Sequence, residues 1–179
     1  MQRETINQIT MENETKIIIT SGQLKKWLDD NGIKLGGLEK ATGTTPGQLS
    51  GMFNKTIYRG RDYRRFSQNA ATRLNTGMRI VSENLLGHLL TYSPEDAKLV
   101  GTELCHPSCL EQIGELRPWL MVKPFLRKAL GWTDSHISNV FISKKCEIYG
   151  HIREEDIVAI NTYLVMVAAA LNRFEMLRD

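Results

Sequence analysis

Three sets of side chains in this sequence have the types and spacing to do chemistry. The first is thiol and imidazole: the stretch CHPSC brings Cys105, His106 and Cys109 together, and Cys146 and His151 lie downstream. Zinc takes such ligands, but structural zinc sites are built from two tightly spaced Cys or His pairs, and the second pair is missing. Three cysteines also make an odd count, which fits no secreted disulfide framework. No metal is expected, and the thiols are read as reduced and buried. The second set, Asp134-Ser135-His136, has the composition of a hydrolytic triad. Neighbours on a helix point about 100° apart, so these three cannot converge. The chain also lacks the phosphate-cradling GxxxxGK[ST], the metal-binding HExxH and the nucleophile elbow GxSxG. Neither an enzyme nor a cofactor is expected.

The third set is cationic. NKTIYRGRDYRRFS carries Lys55, Arg59, Arg61, Arg64 and Arg65 against Asp62 alone, with Tyr58 and Tyr63 between them. Five cations within 11 residues suit a row of phosphates, an interaction that is strong and salt-sensitive. Arg59-Gly60-Arg61 is a flexible pair of guanidiniums of the kind that enters a narrow minor groove. The surrounding charge is lopsided. Residues 1–93 hold 13 Lys/Arg against 8 Asp/Glu, a net +5, whereas residues 94–179 hold 10 against 12, a net −2. A basic half beside a mildly acidic one points to a polyanion on one side of the molecule.

The elements that must position these side chains are written twice. At a shift of 88, LEKATGTTPGQLSGMF from Leu38 meets LRKALGWTDSHISNVF from Leu126, with seven identities in 16 positions. At a shift of 86, Arg73–Leu85 meets Ala159–Leu171, sharing Asn75-Thr76 with Asn161-Thr162. In that pair Leu74, Met78, Val81 and Leu85 match Ile160, Leu164, Val167 and Leu171 in phase, the three-and-four spacing of a helix that buries one stripe. Internal duplication is the expectation. Each copy reads as a leading helix (22–31 and 108–120), a short helix (35–42 and 124–130) and a glycine suited to a left-handed C-cap. Thr45 or Thr133 then caps another short helix, with Pro46 at its first position, and a long helix closes the copy (67–91 and 152–177). The only strand-like run is KIIIT, at 16–20.

Helix, glycine turn, Thr-capped helix: this resembles the helix-turn-helix of the lambda-repressor-like (Xre-type) family of DNA-binding proteins. The family places an apolar residue five before the turn glycine and two more at six and nine after it. Here these are Leu38, Leu49 and Met52 around Gly43, and Leu126, Ile137 and Val140 around Gly131. The second copy also has apolar flanks to its glycine, Leu130 and Trp132, where the first has Thr42 and Thr44. Four before the glycine, where the family usually has Ala or Gly, stand Glu39 and Arg127. The resemblance implies an all-α protein of two tandem units of about five helices each. The divisions are an N-terminal arm at 1–20, a basic unit at 21–93 and a less basic unit at 94–179.

In such a motif the second helix enters the major groove while flanking cations hold phosphates. The expected partner is therefore double-stranded DNA, and the expected job transcriptional regulation. The expected contacts in the first unit are Thr45, Gln48, Ser50, Gly51 and Asn54 on the helix, then Lys55, Arg59, Arg61, Arg64 and Arg65. In the second they are Thr133, Ser135, His136 and Asn139, with Lys144 and Lys145 behind them. Pro46, Gly47 and Gly51 leave the first helix poor in base-reading groups. The alternative is a helical repeat adaptor that binds protein. IVAINTYLVMVAAAL in the final helix is apolar nearly all round, so it is expected between the units or in a homodimer contact. A hydrophobic content of 41% and a charged content of 24% are those of a soluble globular chain. No apolar run reaches the roughly 18–20 residues of a membrane span, and MQRETINQITMENETK lacks a signal-peptide core. A cytoplasmic protein with no membrane partner is expected.

Overall fold

Helices dominate the computed structural model, which describes residues 16–58, 61–62 and 66–176, with backbone alone at 52, 54–58 and 61–62. The first half runs β1 (Ile17–Ile19), α1 (Ser21–Asp30), α2 (Leu35–Thr42), α3 (Pro46–Thr56), β2 (Ile57–Tyr58), β3 (Arg61–Asp62) and α4 (Gln68–Gly87). The second half begins with a 3-10 turn (Pro94–Asp96), then β4 (Lys98–Val100), β5 (Glu103–Cys105) and α5 (Cys109–Glu115). It continues with α6 (Val122–Leu130), α7 (Asp134–Phe141), α8 (Glu154–Arg173) and β6 (Phe174–Met176). Four α-helices per half, among the described residues, replace the expected five. The connection after α3 forms a short antiparallel pair, and the one after α7 is a series of turns.

Local chemistry sets the helix ends. Thr20 and Gln23 form a reciprocal cap: Thr20 N donates to Gln23 Oε1 at 3.0 Å, and Gln23 N donates to Thr20 Oγ1 at 3.4 Å. Gly43 ends α2 with φ 64° and Gly131 ends α6 with φ 68°, the left-handed region in which glycine has no Cβ penalty. Arg127, Lys128 and Lys40 complement the carbonyl ends of those two helices.

Several boundaries and strands depart from the sequence reading. The helix expected over 108–120 stops at Glu115, where Leu116 N already bonds Ile113 O and the chain tightens into turns before Leu120. The final helix ends at Arg173, and Phe174–Met176 continue as a strand paired in parallel with Ile17–Ile19. KIIIT is therefore one of six short strands among the described residues, and the end of the supposed arm belongs to the fold. β4 and β5 form a hairpin around Gly101. The β1–β6 pairing is invisible in short-range sequence, because the fold brings those strands together from opposite ends of the described chain.

The core lies between the two long helices. α4 buries Leu74, Met78, Val81 and Leu85 against Ile160, Leu164, Val167 and Leu171 of α8. In the middle Ser82 Oγ donates to Ala168 O at 2.9 Å, and these residues stand 86 apart. Other contacts exchange in the same way. Met176 N donates to Asn75 Oδ1 at 3.1 Å, while Leu90 N donates to Asn161 Oδ1 at 2.8 Å and Asn161 Nδ2 donates to Leu90 O at 2.9 Å. Asn75 with Asn161, and Leu90 with Met176, are again 86 apart. Ahead of α2 and α6, Lys34 N bonds Trp119 O at 2.9 Å and Met121 N bonds Gly32 O at 2.6 Å, around an antiparallel bridge from Ile33 to Leu120. A local two-fold exchange of the halves carries each contact onto its counterpart. The chain leaving each closing helix is thus tied to the other half.

Candidate nucleic-acid interface

The two helix-turn-helix segments are built alike. Leu38 and Leu49, and Leu126, Ile137 and Val140, are fully buried in the core, where α2 packs on α4 and α6 on α8. The side chain of Met52 is outside the described residues. The turn flanks differ in chemistry, and Thr44 is buried where Trp132 is half-buried. Thr44 is buried because its hydroxyl meets that of Thr42 at 2.7 Å, and Thr42 Oγ1 donates to Leu38 O at 2.7 Å. In the second segment Trp132 fills the corresponding space, against Phe141 at 5.9 Å and edge-on to His136 at 4.4 Å. Two threonines thus stand in for apolar flanks by satisfying each other.

The unusual residues four before the glycines sit without a clash because they face outward. Glu39 is half-buried and its carbonyl accepts from Gly43 and Thr44. Arg127 is exposed and reaches Asp134 at 3.5 Å across the turn. Close packing in the first half falls elsewhere, where a Cβ on Gly77 of α4 would come within 2.5 Å of Thr42 Cγ2. The position 86 on is Tyr163, which packs on Phe125 at 5.3 Å and donates its hydroxyl to Asn31 Oδ1 at 2.5 Å.

On α3, Thr45, Pro46, Gly47, Gln48 and Ser50 are exposed and Gly51 is partly so. Gln48 is engaged by the cap: Thr45 N donates to Gln48 Oε1 at 3.0 Å and Gln48 N donates to Thr45 Oγ1 at 3.3 Å. The pair that looked like readout groups therefore satisfies backbone at the helix start. Nothing lies within 4 Å of a Cβ on Gly47 or Gly51, so this face is open. Asn54 and Lys55 are on the helix, and Arg61 faces Tyr58 in strand register. Their side chains, with Arg59, Arg64 and Arg65, lie outside the described residues.

On α7, Thr133 is the N-cap and accepts from His136 N at 3.3 Å. Asp134, Ser135 and His136 are exposed, Ser138 and Asn139 are half-buried, and Lys144 and Lys145 are exposed nearby in sequence. Asp134 faces Arg127 and His136 faces Trp132, so the Asp-Ser-His triplet does not assemble.

The thiol and imidazole residues have structural surroundings. Cys105 and Cys109 are buried, and burial pushes both thiols above the usual range. Cys109 Sγ donates to Thr91 O at 3.7 Å. His106 is buried against the Tyr92 ring at 4.1 Å. Cys146 is half-buried. Among the described residues no group of three or more His, Cys, Asp or Glu could hold a metal ion. Nor is any helix there long and apolar enough to cross a membrane.

No family model, curated protein or solved structure matches the chain.

Proposed function

We propose that the chain arose by duplication of one helix-turn-helix unit and binds double-stranded DNA as a transcriptional regulator rather than an enzyme. The observation that carries this reading is the geometry repeated in the two halves. Each has a helix ended by a left-handed glycine and a Thr-capped helix whose outer face is open to solvent. α3 and α7 are the candidate major-groove helices. The open Gly47/Gly51 face lets a bulky duplex come close but reads few bases, so the first unit works chiefly through its arginines on phosphates. The second offers Ser135, His136 and Asn139 to base edges, with Arg127 offsetting Asp134. Fusion gives the second unit a high effective concentration once the first is bound.

Fluorescence anisotropy of a generic 25–30 base-pair duplex, repeated across salt concentrations, tests this. Micromolar binding is expected, with a salt dependence equivalent to roughly four or more phosphate contacts. Replacing Arg59, Arg61, Arg64 and Arg65 together by Ala should flatten that dependence. Absence of binding even at low salt would remove DNA from the account. The adaptor reading, which the exposed apolar residues of α8 favour, would then lead.

A further inference from the structure

We infer that a groove between α5, the start of α6 and the end of α7 binds a medium-chain fatty acid, an anionic head on an apolar tail. The inference stands whether or not the chain binds DNA. The groove encloses about 500 Å³, within the range of small-molecule sites. Its floor is the buried side chains of Ile113, Leu120 and Phe141. Half-buried Leu110 and Val122 and exposed Ile142 wall it. At the roughly 30 Å³ that a water takes in the liquid, such a space has room for about 15 non-hydrogen atoms.

The charge of the groove is of one sign. The charged residues that line it are Lys34, Arg117 and Lys123, and no carboxylate joins them. That imbalance is local, since residues 94–179, which supply Arg117 and Lys123, hold 10 Lys/Arg against 12 Asp/Glu. Among the described residues none of the three forms an ion pair, unlike Arg127 and Arg153. Lys34 Nζ spends one of its three donors on Arg117 O, at 2.7 Å.

The cations are also gathered to one end, and this selects the occupant. Lys34, Arg117 and Lys123 each stand within three residues of the bridge between Ile33 and Leu120. α6 starts beside them with no side-chain cap and no acid in its first turn, so its dipole adds to the same positive end. Leu110, with Phe141 and Ile142 at the end of α7, leaves the rest of the groove without charge. An amphiphile with a single anionic head matches that polarity. Burial of the tail supplies affinity, and the cations fix which end of the ligand lies at the bridge. A free phosphate would leave the apolar floor wet, and a neutral hydrocarbon would leave the cations unanswered.

Isothermal titration calorimetry of the full chain with sodium dodecanoate, kept below its micelle concentration, tests this. One site per chain with a micromolar dissociation constant is expected. Octanoate should bind roughly a hundredfold more weakly, because four CH₂ groups are left out. Dodecyltrimethylammonium, with the same length of tail and the opposite charge, should bind at least about tenfold more weakly. Arg117→Glu and Lys123→Glu should each weaken dodecanoate binding by roughly tenfold. Lys98→Glu, the same charge change away from the groove, should leave it alone. Far-UV circular dichroism identifies any variant that has lost its fold, and the ligand series on the unaltered chain then decides the question. Dodecanoate that fails to saturate one site would overturn the inference and leave the groove to a second copy or an acidic peptide. So would equal binding of the cationic amphiphile, or binding that neither glutamate variant weakens.

Discussion

Two asparagines tie the chain leaving each closing helix to the other half, and they do so unequally. Asn161 makes a donor and an acceptor bond to Leu90, whereas Asn75 accepts a single bond from Met176. Asn161→Ala strands both polar groups of a buried residue, which costs about 1–3 kcal/mol. Asn75→Ala strands one such group, the N–H of buried Met176, and should cost less, about 1–1.5 kcal/mol. Urea denaturation of the two variants checks the order, and equal or reversed losses would show that the tails are held by something else. At the same scale Arg127–Asp134 is an exposed pair worth at most about 1 kcal/mol. Its use is to turn two charges away from the helix crossing. The repeated Asn-Thr dipeptide was legible in the sequence. Its role was not, since the bonded partners lie 71 and 101 positions away.

Among elements, β6 joins the end of the second half to the first. Phe174 packs edge-on against Trp27 at 4.7 Å, and Met176 is buried beside β1. Phe174→Ala removes a nearly buried ring and should cost about 3 kcal/mol, read from urea unfolding followed by tryptophan fluorescence. A loss below about 1 kcal/mol would mean that β6 frays without consequence. FEM carries no strand signal of its own: three residues after a 20-residue helix read as its last turn. The cores of the helix-turn-helix segments were legible because their determinants are local. A left-handed glycine, a threonine hydroxyl and apolar residues at fixed offsets act within about ten residues. The capping duty of Gln48 was the local exception, a group that reads as a base contact but completes a helix start.

At the scale of the whole molecule, the halves share one core and exchange their tails, so neither has a complete set of contacts alone. The full chain should unfold in one transition, with circular dichroism and tryptophan fluorescence tracing coincident curves. Trp132 reports on the second half, whereas Trp27 against Phe174 and Trp119 beside Lys34 and Lys40 report on the join between the halves. Two separated transitions would show that the α4–α8 contact is a docking surface between independent domains.

The sequence by itself determined the helical character, the two glycine turns with their capped second helices and the phase of the buried stripes. Each depends on backbone conformation and side-chain period over one or two turns of chain. Only the tertiary structure decided the two-fold exchange between the halves and the pairing of chain segments more than 150 residues apart. It also decided what covers the buried stripe of the final helix, which is α4 of the other half. Those outcomes depend on which surfaces meet in space. The phase of Ile160, Leu164, Val167 and Leu171 marks the stripe to be buried, but only the folded chain supplies α4 as the surface that buries it.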